Sequence, residues 1–447
     1  MDTPFPTQAF CVACRRAVPA TVSESEGHLY LTRTCPVCGE ARTLIEHDAA
    51  LYARWEAHRR SHVAPERTLT AAVRGCPLDC GLCPAHRQKS CVVLLEVTDA
   101  CNLNCPVCYA GAGESASHLS LETVRTMLEG AVAAAAGRPE ILQISGGEPT
   151  CHQQILEILR IAKSLPFKYV MLNTNGLALQ DGSLDLASLA ALGPGFEVYL
   201  QFDGLDDDVY RAFRGRPLLA EKRRALEALA HHGIPATLVA TLRRGVNVET
   251  VGDLLRFGLA HPAVRGVNFQ CEARFGRTPA DAAAGDRVTQ TEVVNLLAHQ
   301  APDILGTEDF MPLACGLASL VHLERTSDTW RPIPRAFADA WRGNPLTATL
   351  EELVAAGKGM CACRSGWLET LLASLPENAM AGPVEARSRL VHERFFHVSV
   401  ASFLDATNFD LNRACRECTH VLQPDGRKIP FSAYNTIHRR PRVQLGG

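Results

Sequence analysis

The segment VTDACNLNCPVCYAG, residues 97–111, carries Cys101, Cys105 and Cys108 in the spacing C-x3-C-x2-C. A structural zinc site takes four protein ligands, and so does a fully ligated four-iron cluster. Three thiolates on a four-iron cluster leave one iron open to a small molecule, by the same logic as a catalytic zinc with a vacant position. The spacing alone also admits a zinc site completed from elsewhere, or three buried thiols. Immediately before the triplet stands the apolar run VVLLEV, residues 92–97, so the cysteines fall on the loop that follows a predicted strand.

Working outward, strand and helix signals alternate. Further short, aliphatic runs begin at Glu140 (EILQIS), Lys168 (KYVMLN), Phe196 (FEVYLQF), Ala236 (ATLVATL) and Arg265 (RGVNFQ). Such runs suit the buried strands of a parallel sheet. Amphipathic segments lie between them, the first opening at Ser120, a fitting N-cap. Six strands alternating with helices predict an α/β fold, either a partial (β/α)6 barrel or an open parallel sheet. Both put the active site in the loops at the C-terminal strand ends. Motifs fall at those ends: SGGEPT with Gly146, Gly147 and Glu148, NTNG with Asn173 and Thr174, QFDG with Gln201 and Asp203, and ATLRRGVN with Arg243. Glycines permit close backbone approach to a ligand, and a glutamate can accept from an ammonium group.

The whole chain has 447 residues, enough for two to four domains. Its 47% hydrophobic and 21% charged content is that of a globular protein. A net charge of -3 gives no support to a general nucleic-acid role, and no partner of that kind is expected. No stretch approaches a membrane span, so at most peripheral membrane contact is expected. The opening MDTPFPTQAF does not read as a secretory signal, and the expected location is cytoplasmic. Eighteen cysteines then point to metal or redox chemistry, since disulfides are rare in that compartment.

The other cysteines also cluster. Cys11, Cys14, Cys35 and Cys38 form C-x2-C-x20-C-x2-C, a small metal ribbon that suits either Zn(II) or a single iron. Cys76, Cys80, Cys83 and Cys91 supply four thiolates, enough to close an auxiliary [4Fe–4S] cluster, with zinc as the alternative. Cys315, Cys361, Cys363, Cys415 and Cys418 are spread over the C-terminal third, and four of the five would hold a second auxiliary cluster. Separate buried thiols are the alternative there. Cys151 and Cys271 are assigned no role.

The triplet, the GGE motif and the aromatic Tyr109 beside Cys108 together resemble the radical SAM superfamily over roughly residues 92–275. The resemblance implies a partial (β/α)6 barrel and a cluster held by Cys101, Cys105 and Cys108. It implies reductive cleavage of S-adenosylmethionine to a 5'-deoxyadenosyl radical that abstracts hydrogen from an unactivated C–H bond. Gly146, Gly147 and Glu148 would hold the methionine amino group. Asn173, Thr174, Gln201 and Asp203 are candidates for ribose, carboxylate or substrate contacts, and Arg243 for the cofactor carboxylate. An electron donor such as ferredoxin or flavodoxin is implied.

Beyond the superfamily, the ribbon, GCPLDCGLCPAHRQKSC, FQCEARFGR and PDGRKIPFSAYN resemble tetraether lipid synthases and their pterin-methylating relatives. Ser432 and Cys271 depart from that pattern. The domains expected are a rubredoxin-like or zinc-ribbon-like unit with a connecting helix (1–65), an auxiliary cluster segment (66–91), the radical SAM core (92–280) and a C-terminal auxiliary-cluster and cavity region (281–447). Carbon–carbon bond formation on a lipid-like substrate is the first expectation. Methylation of a small molecule such as a pterin, or modification of a peptide, is the alternative. A multi-cluster electron-transfer protein is the non-enzyme rival. A lipid predicts an apolar tunnel, and a pterin a polar pocket with convergent hydrogen-bonding groups.

Overall fold

The computed structural model describes residues 4–57, 62–113, 117–137, 139, 141–278, 287–326, 329–333, 390 and 393–439. Cys361 and Cys363, the helical segment TLEELVAAG and most of the TPADAAAGDRVTQ linker lie outside the described residues.

The N-terminal unit is an antiparallel sheet of β1 (Phe5–Cys11), β2 (Arg16–Ser25), β3 (His28–Cys35) and β4 (Gly39–Glu46), in that order. Strict alternation buries Val18, Ala20 and Val22 of β2 against Leu29 and Leu31 of β3. The β2–β3 hairpin turns on Glu26 and Gly27, at φ 55° and 78°. Two left-handed residues match the twist of paired strands, and glycine adopts the second without strain. Helix α1 (Ala49–Ala57) closes this core with Ala49 and Tyr52.

The six expected strands form a parallel run: β5 (Val92–Thr98), β6 (Ile141–Gly146), β7 (Tyr169–Thr174), β8 (Phe196–Gln201), β9 (Ala236–Leu242) and β10 (Val264–Cys271). Helices cover one face: α2 (Leu121–Ala134), α3 (Ile155–Ser164), α4 (Leu177–Gln180), α5 (Leu186–Ala190), α6 (Asp207–Arg214), α7 (Leu219–His231) and α8 (Val251–Ala260). Ser120 caps α2 by accepting from the Thr123 N–H, as expected. The region 206–233 breaks into two helices at Gly215, whose φ of 82° ends α6 in a left-handed cap. Every second strand residue faces the helices, among them Leu95, Ile144, Leu172, Val198, Leu238 and Val267, all fully buried in one apolar core.

Strands from beyond residue 310 extend both edges of this sheet. On one side β10 pairs in parallel with β14 (Phe395–Ala401), which pairs with antiparallel β12 (Ala318–Thr326); β11 (Met311–Pro312) and β13 (Thr329–Pro332) flank β12. On the other side β5 pairs in parallel with β15 (Thr419–Leu422), which carries antiparallel β16 (Lys428–Pro430). Helix α9 (Gln290–Gln300) opens with a Thr289/Glu292 capping box and packs against α8. Among the described residues no helix is long and apolar enough to cross a membrane.

The inner face of the parallel strands is mixed, with Leu94, Met171 and Val239 set among polar residues. Gln143, Ser145, Asn173, Tyr199, Gln201, Asn268 and Gln270 alternate with the helix-facing aliphatics. At the strand starts the Arg265 Nε meets a Glu197 carboxylate oxygen at 2.9 Å, and Thr237 donates to the same carboxylate. Tyr169, His397 and His322 complete this layer. The strand starts are thus filled by a paired polar layer, and the opposite end carries the motif loops.

Candidate active site

The triplet loop leaves β5 at Thr98 and is anchored at several points. The Cys101 N–H donates to the Gly113 carbonyl at 3.2 Å, and the Leu103 N–H donates to Cys101 Sγ at 3.4 Å. The segment after β10 clamps it from above: Arg277 Nε donates to the Cys105 carbonyl at 2.6 Å and its terminal nitrogen to Ala112 O at 3.0 Å. Cys108 and Arg277 exchange a pair of backbone bonds at 2.9 and 3.0 Å. Gly276 lies flat on this loop, and a Cβ there would stand 2.5 Å from Cys108 O, so only glycine fits. Burial pushes the Cys101 thiol up to about 12 and raises Cys105 too, against the lowering effect of Arg214. Thiols so shifted become thiolates only when a cationic group takes the proton's place, as a metal centre does.

The GGE motif braces the same loop. The Gly147 and Glu148 N–H groups donate to Thr98 O and Ala100 O at 2.9 and 2.8 Å. A Cβ on Gly146 or Gly147 would fall 2.3 Å from those carbonyls, so both glycines are required by the chain's own close approach. Glu148, 1% exposed, accepts from Thr150 N–H, the hydroxyls of Thr150 and Thr174, and Asn175 N–H, at 2.7 to 3.1 Å. This carboxylate ties the end of β6 to the end of β7.

Asp203 sits beneath the triplet, 1% exposed, and accepts from both Nε and a terminal nitrogen of Arg214 at 2.7 Å. The Gln201 amide oxygen, in the orientation that satisfies both groups, accepts from the same guanidinium at 2.8 Å. Arg214 also lies close enough to the Cys105 thiol to act on its charge. Lys222 is fully buried beside them and donates to Asn175 O; burial pushes it down to about 8, opposed chiefly by Asp203. Asn173 Nδ2 donates to Gln143 at 3.3 Å. Arg243 is held by a two-point ion pair to Glu272, with Nε to Oε2 at 2.6 Å.

Several residues at this rim were not singled out from the sequence: Arg214, Lys222, Asn175, Arg277, Glu96 and Arg439. Glu96 points from β5 into the mouth of the sheet, where Arg439 bonds both its oxygens, one at 3.1 Å. The Arg439 guanidinium lies 4.6 Å from the Tyr434 ring and 5.7 Å from that of Tyr109. Tyr109 packs on Phe431 at 5.3 Å and bonds Ser145. Residues 431–439 therefore wall the site beside Cys108.

The remaining cysteines sort by space and not by sequence order. Cys11, Cys14, Cys35 and Cys38 place their sulfurs within 4.8 Å of one another, a set among the described residues that suits one tetrahedral ion. The Cys35 thiol is pushed down to about 6 by the N–H groups of Cys38 and Val37, the first at 3.3 Å. Cys76, Cys80 and Cys83 line a small cavity with Cys415 and His86. Cys91 instead contacts Cys418, which also contacts Cys315. The cause is register: β5 and β15 pair Val92 with Thr419, so the residues before them, Cys91 and Cys418, stand side by side. Ser432 donates to Glu417 at 2.9 Å and accepts from Leu404 N–H, also at 2.9 Å. Burial lifts Glu417 to about 8.

Known proteins match this arrangement in two places. The radical SAM superfamily matches residues 95–258, and the HMPTM N-terminal zinc ribbon domain matches residues 4–47. A 7,8-dihydro-6-hydroxymethylpterin dimethyltransferase of Methanocaldococcus jannaschii is 30% identical over 97% of this chain and 94% of its own length. A GTP 3',8-cyclase of Geobacter sulfurreducens is 30% identical over 40% of this chain and 55% of its own. The solved structure of Streptococcus suis SuiB bound to precursor peptide SuiA aligns at 16% identity with a TM-score of 0.41, covering 49% of this chain and 46% of that one. With a relative matched along nearly its whole length, and with the triplet and GGE loops braced against each other, this chain belongs to the radical SAM superfamily and is a radical SAM enzyme with an HMPTM-type four-cysteine ribbon.

Proposed function

We propose that this enzyme methylates a reduced pterin or a closely similar amino-heterocycle. The amides and the hydroxyl set among the apolar residues of the inner face carry this reading. Amides of Gln143, Asn173, Asn268 and Gln270 and the Tyr199 hydroxyl converge there, and an alkyl chain would leave such groups without partners. The near full-length pterin methyltransferase relative supports the same choice over the lipid expectation.

Cys101, Cys105 and Cys108 would hold the [4Fe–4S] cluster, and Gly146, Gly147 and Glu148 would border the methionine end of S-adenosylmethionine. When bound, these groups supply reductive carbon–sulfur cleavage and a 5'-deoxyadenosyl radical. The chain's own contribution is positioning and shielding. Arg214 and Asp203 fix the loop from below, Arg277 from above, and the wall of residues 431–439 limits water. Two auxiliary clusters are part of this proposal, one on Cys76, Cys80, Cys83 and Cys415, the other drawing on Cys91, Cys315 and Cys418. The cavity shared by the first set, and the nearness of Cys418 to Cys91 and Cys315, support it. A cytoplasmic site of action, with a ferredoxin or flavodoxin as donor, follows from chemistry that needs a low-potential electron.

The test is anaerobic incubation of reconstituted enzyme with dithionite, S-adenosylmethionine and 7,8-dihydro-6-hydroxymethylpterin. One molecule of S-adenosylmethionine is expected to give methionine and 5'-deoxyadenosine, and a further molecule to give each methyl group gained by the pterin and leave S-adenosylhomocysteine, with dithionite supplying the electrons. Turnover of S-adenosylmethionine with an unchanged pterin, and altered lipids in an expressing host, would return the reading to lipid chemistry.

A further inference from the structure

We infer that Asn173 and Asn268 are the substrate-reading pair, two acceptor oxygens that take the N–H donors of an amino-pyrimidinone edge. The inference rests on the pterin reading above and adds the residues and the edge of the ring they recognise.

Both asparagines lie on the inner face, one on β7 and one on β10, toward the C-terminal strand ends. Register sets Asn268 level with Val239 and so with Gln201, and sets Asn173 level with Tyr199. The Asn173 amide is oriented by its neighbours. Its Nδ2 donates to Gln143 Oε1 at 3.3 Å, and Gln143 Nε2 is in turn committed to Met171 Sδ at 3.4 Å. Asn173 Oδ1 is thereby turned away from this chain of bonds, and it is buried with no donor. Asn268 Oδ1 is also buried with no donor. Tyr199, between them, accepts from Gln270 Nε2 at 3.3 Å.

Buried acceptors without donors are costly and call for an explanation. Here the paired layer of Glu197 and Arg265 at the strand starts leaves the motif end as the direction of approach. Both oxygens are closed to solvent here, so a ligand that opens the site to meet them must bring its own N–H groups. The 2-amino group and the adjacent ring N–H of a pterin are such donors. A 2-oxo analogue of the lumazine type offers an oxygen in place of the amino group, which would face an acceptor with an acceptor.

The experiment is equilibrium binding to the full, cluster-loaded chain under anaerobic conditions, with 7,8-dihydro-6-hydroxymethylpterin, its 2-oxo analogue and S-adenosylmethionine as separate ligands. Asn173→Leu and Asn268→Leu are each expected to weaken pterin binding about tenfold, the loss of one hydrogen bond. Asn268→Asp, which keeps an acceptor, should restore most of it and guards against misfolding of the leucine variants. Affinity for S-adenosylmethionine should change less than about twofold, because the effect belongs to the pterin. The 2-oxo analogue should bind the wild type about tenfold less tightly than the pterin and respond little to Asn268→Leu. Pterin binding that is unaltered by both leucine variants overturns this inference and leaves the pterin reading standing. No pterin binding by the wild type overturns both. Equal weakening of pterin and S-adenosylmethionine would assign the amides to the cofactor and also overturn it.

Discussion

Arg214 shows how one side chain can serve the cluster loop from a distance in sequence. Its fork grips Asp203 at 2.7 Å on both nitrogens, and its charge acts on the nearby Cys105 thiol. Arg214→Met would leave Asp203 buried and unpaired, a change that costs about 3–5 kcal/mol. Arg214→Lys keeps a charge without the fork. The lysine variant is therefore expected to load iron normally, whereas the methionine variant should lose stability. A positive charge near a cluster favours its reduced form. Any methionine protein that does fold should thus show a more negative cluster potential than wild type in an EPR-monitored redox titration. An unchanged potential would remove Arg214 from this role.

Legibility at this scale follows distance along the chain. The motifs of Cys101, Cys105, Cys108 and the GGE residues stand out in the sequence because their spacing is local. Arg214, Lys222 and Arg439 do not, because each meets its partner only when strands far apart in sequence are adjacent. Arg439 and Glu96 are separated by 343 positions. The role of the two glycines is also a tertiary fact: what approaches them is the Thr98–Ala100 backbone.

Among elements, the six parallel strands were legible from short aliphatic runs, and the structure adds strands at both edges that sequence alternation did not signal. The β5–β15 pairing matters most, since it brings Cys91 to Cys418 and leaves Cys415 facing Cys76, Cys80 and Cys83. Sequence neighbourhood had grouped Cys91 with Cys76, Cys80 and Cys83. Iron analysis separates the two groupings. If Cys76 and Cys415 serve one cluster, the double variant Cys76→Ser/Cys415→Ser should lose no more iron than either single variant. Cys76→Ser/Cys91→Ser should lose two clusters' worth. The opposite pattern would restore the grouping by sequence.

The wall formed by residues 431–439 has its own test. Arg439→Gln removes the charge that pins this segment to Glu96 and lies near the Tyr434 and Tyr109 rings. A looser wall admits water and stray hydrogen donors to the radical site. The ratio of 5'-deoxyadenosine to methylated product is expected to rise several-fold, with iron content unchanged. An unaltered ratio would make the wall structural only.

For the molecule as a whole, the inner face sets polar groups among apolar ones, and the polar layer at the strand starts has a price in acid. His322 and His397 are buried there; burial, then Arg265, pushes His322 down to about 3 from an ordinary 6.5 and His397 well below it. In the unfolded chain both would titrate near 6.5, so below that pH the unfolded state takes up protons that the folded barrel refuses. Above 6.5 both states carry neutral imidazoles, and the effect vanishes. Stability should therefore fall as pH drops from about 6.5 toward 3, in the direction set by these depressed values. Acid also strips thiolate-bound metal, but that loss is common to any variant compared at the same pH. His322→Gln removes one titrating group while keeping polar atoms in the layer. Denaturant midpoints for wild type and variant should lie closer together at pH 5.5 than at pH 7.5, because only the wild type bears this histidine's acid penalty. Parallel midpoints at both pH values would show that His322 takes up its proton without unfolding, and the buried layer would then be wetter than its packing indicates.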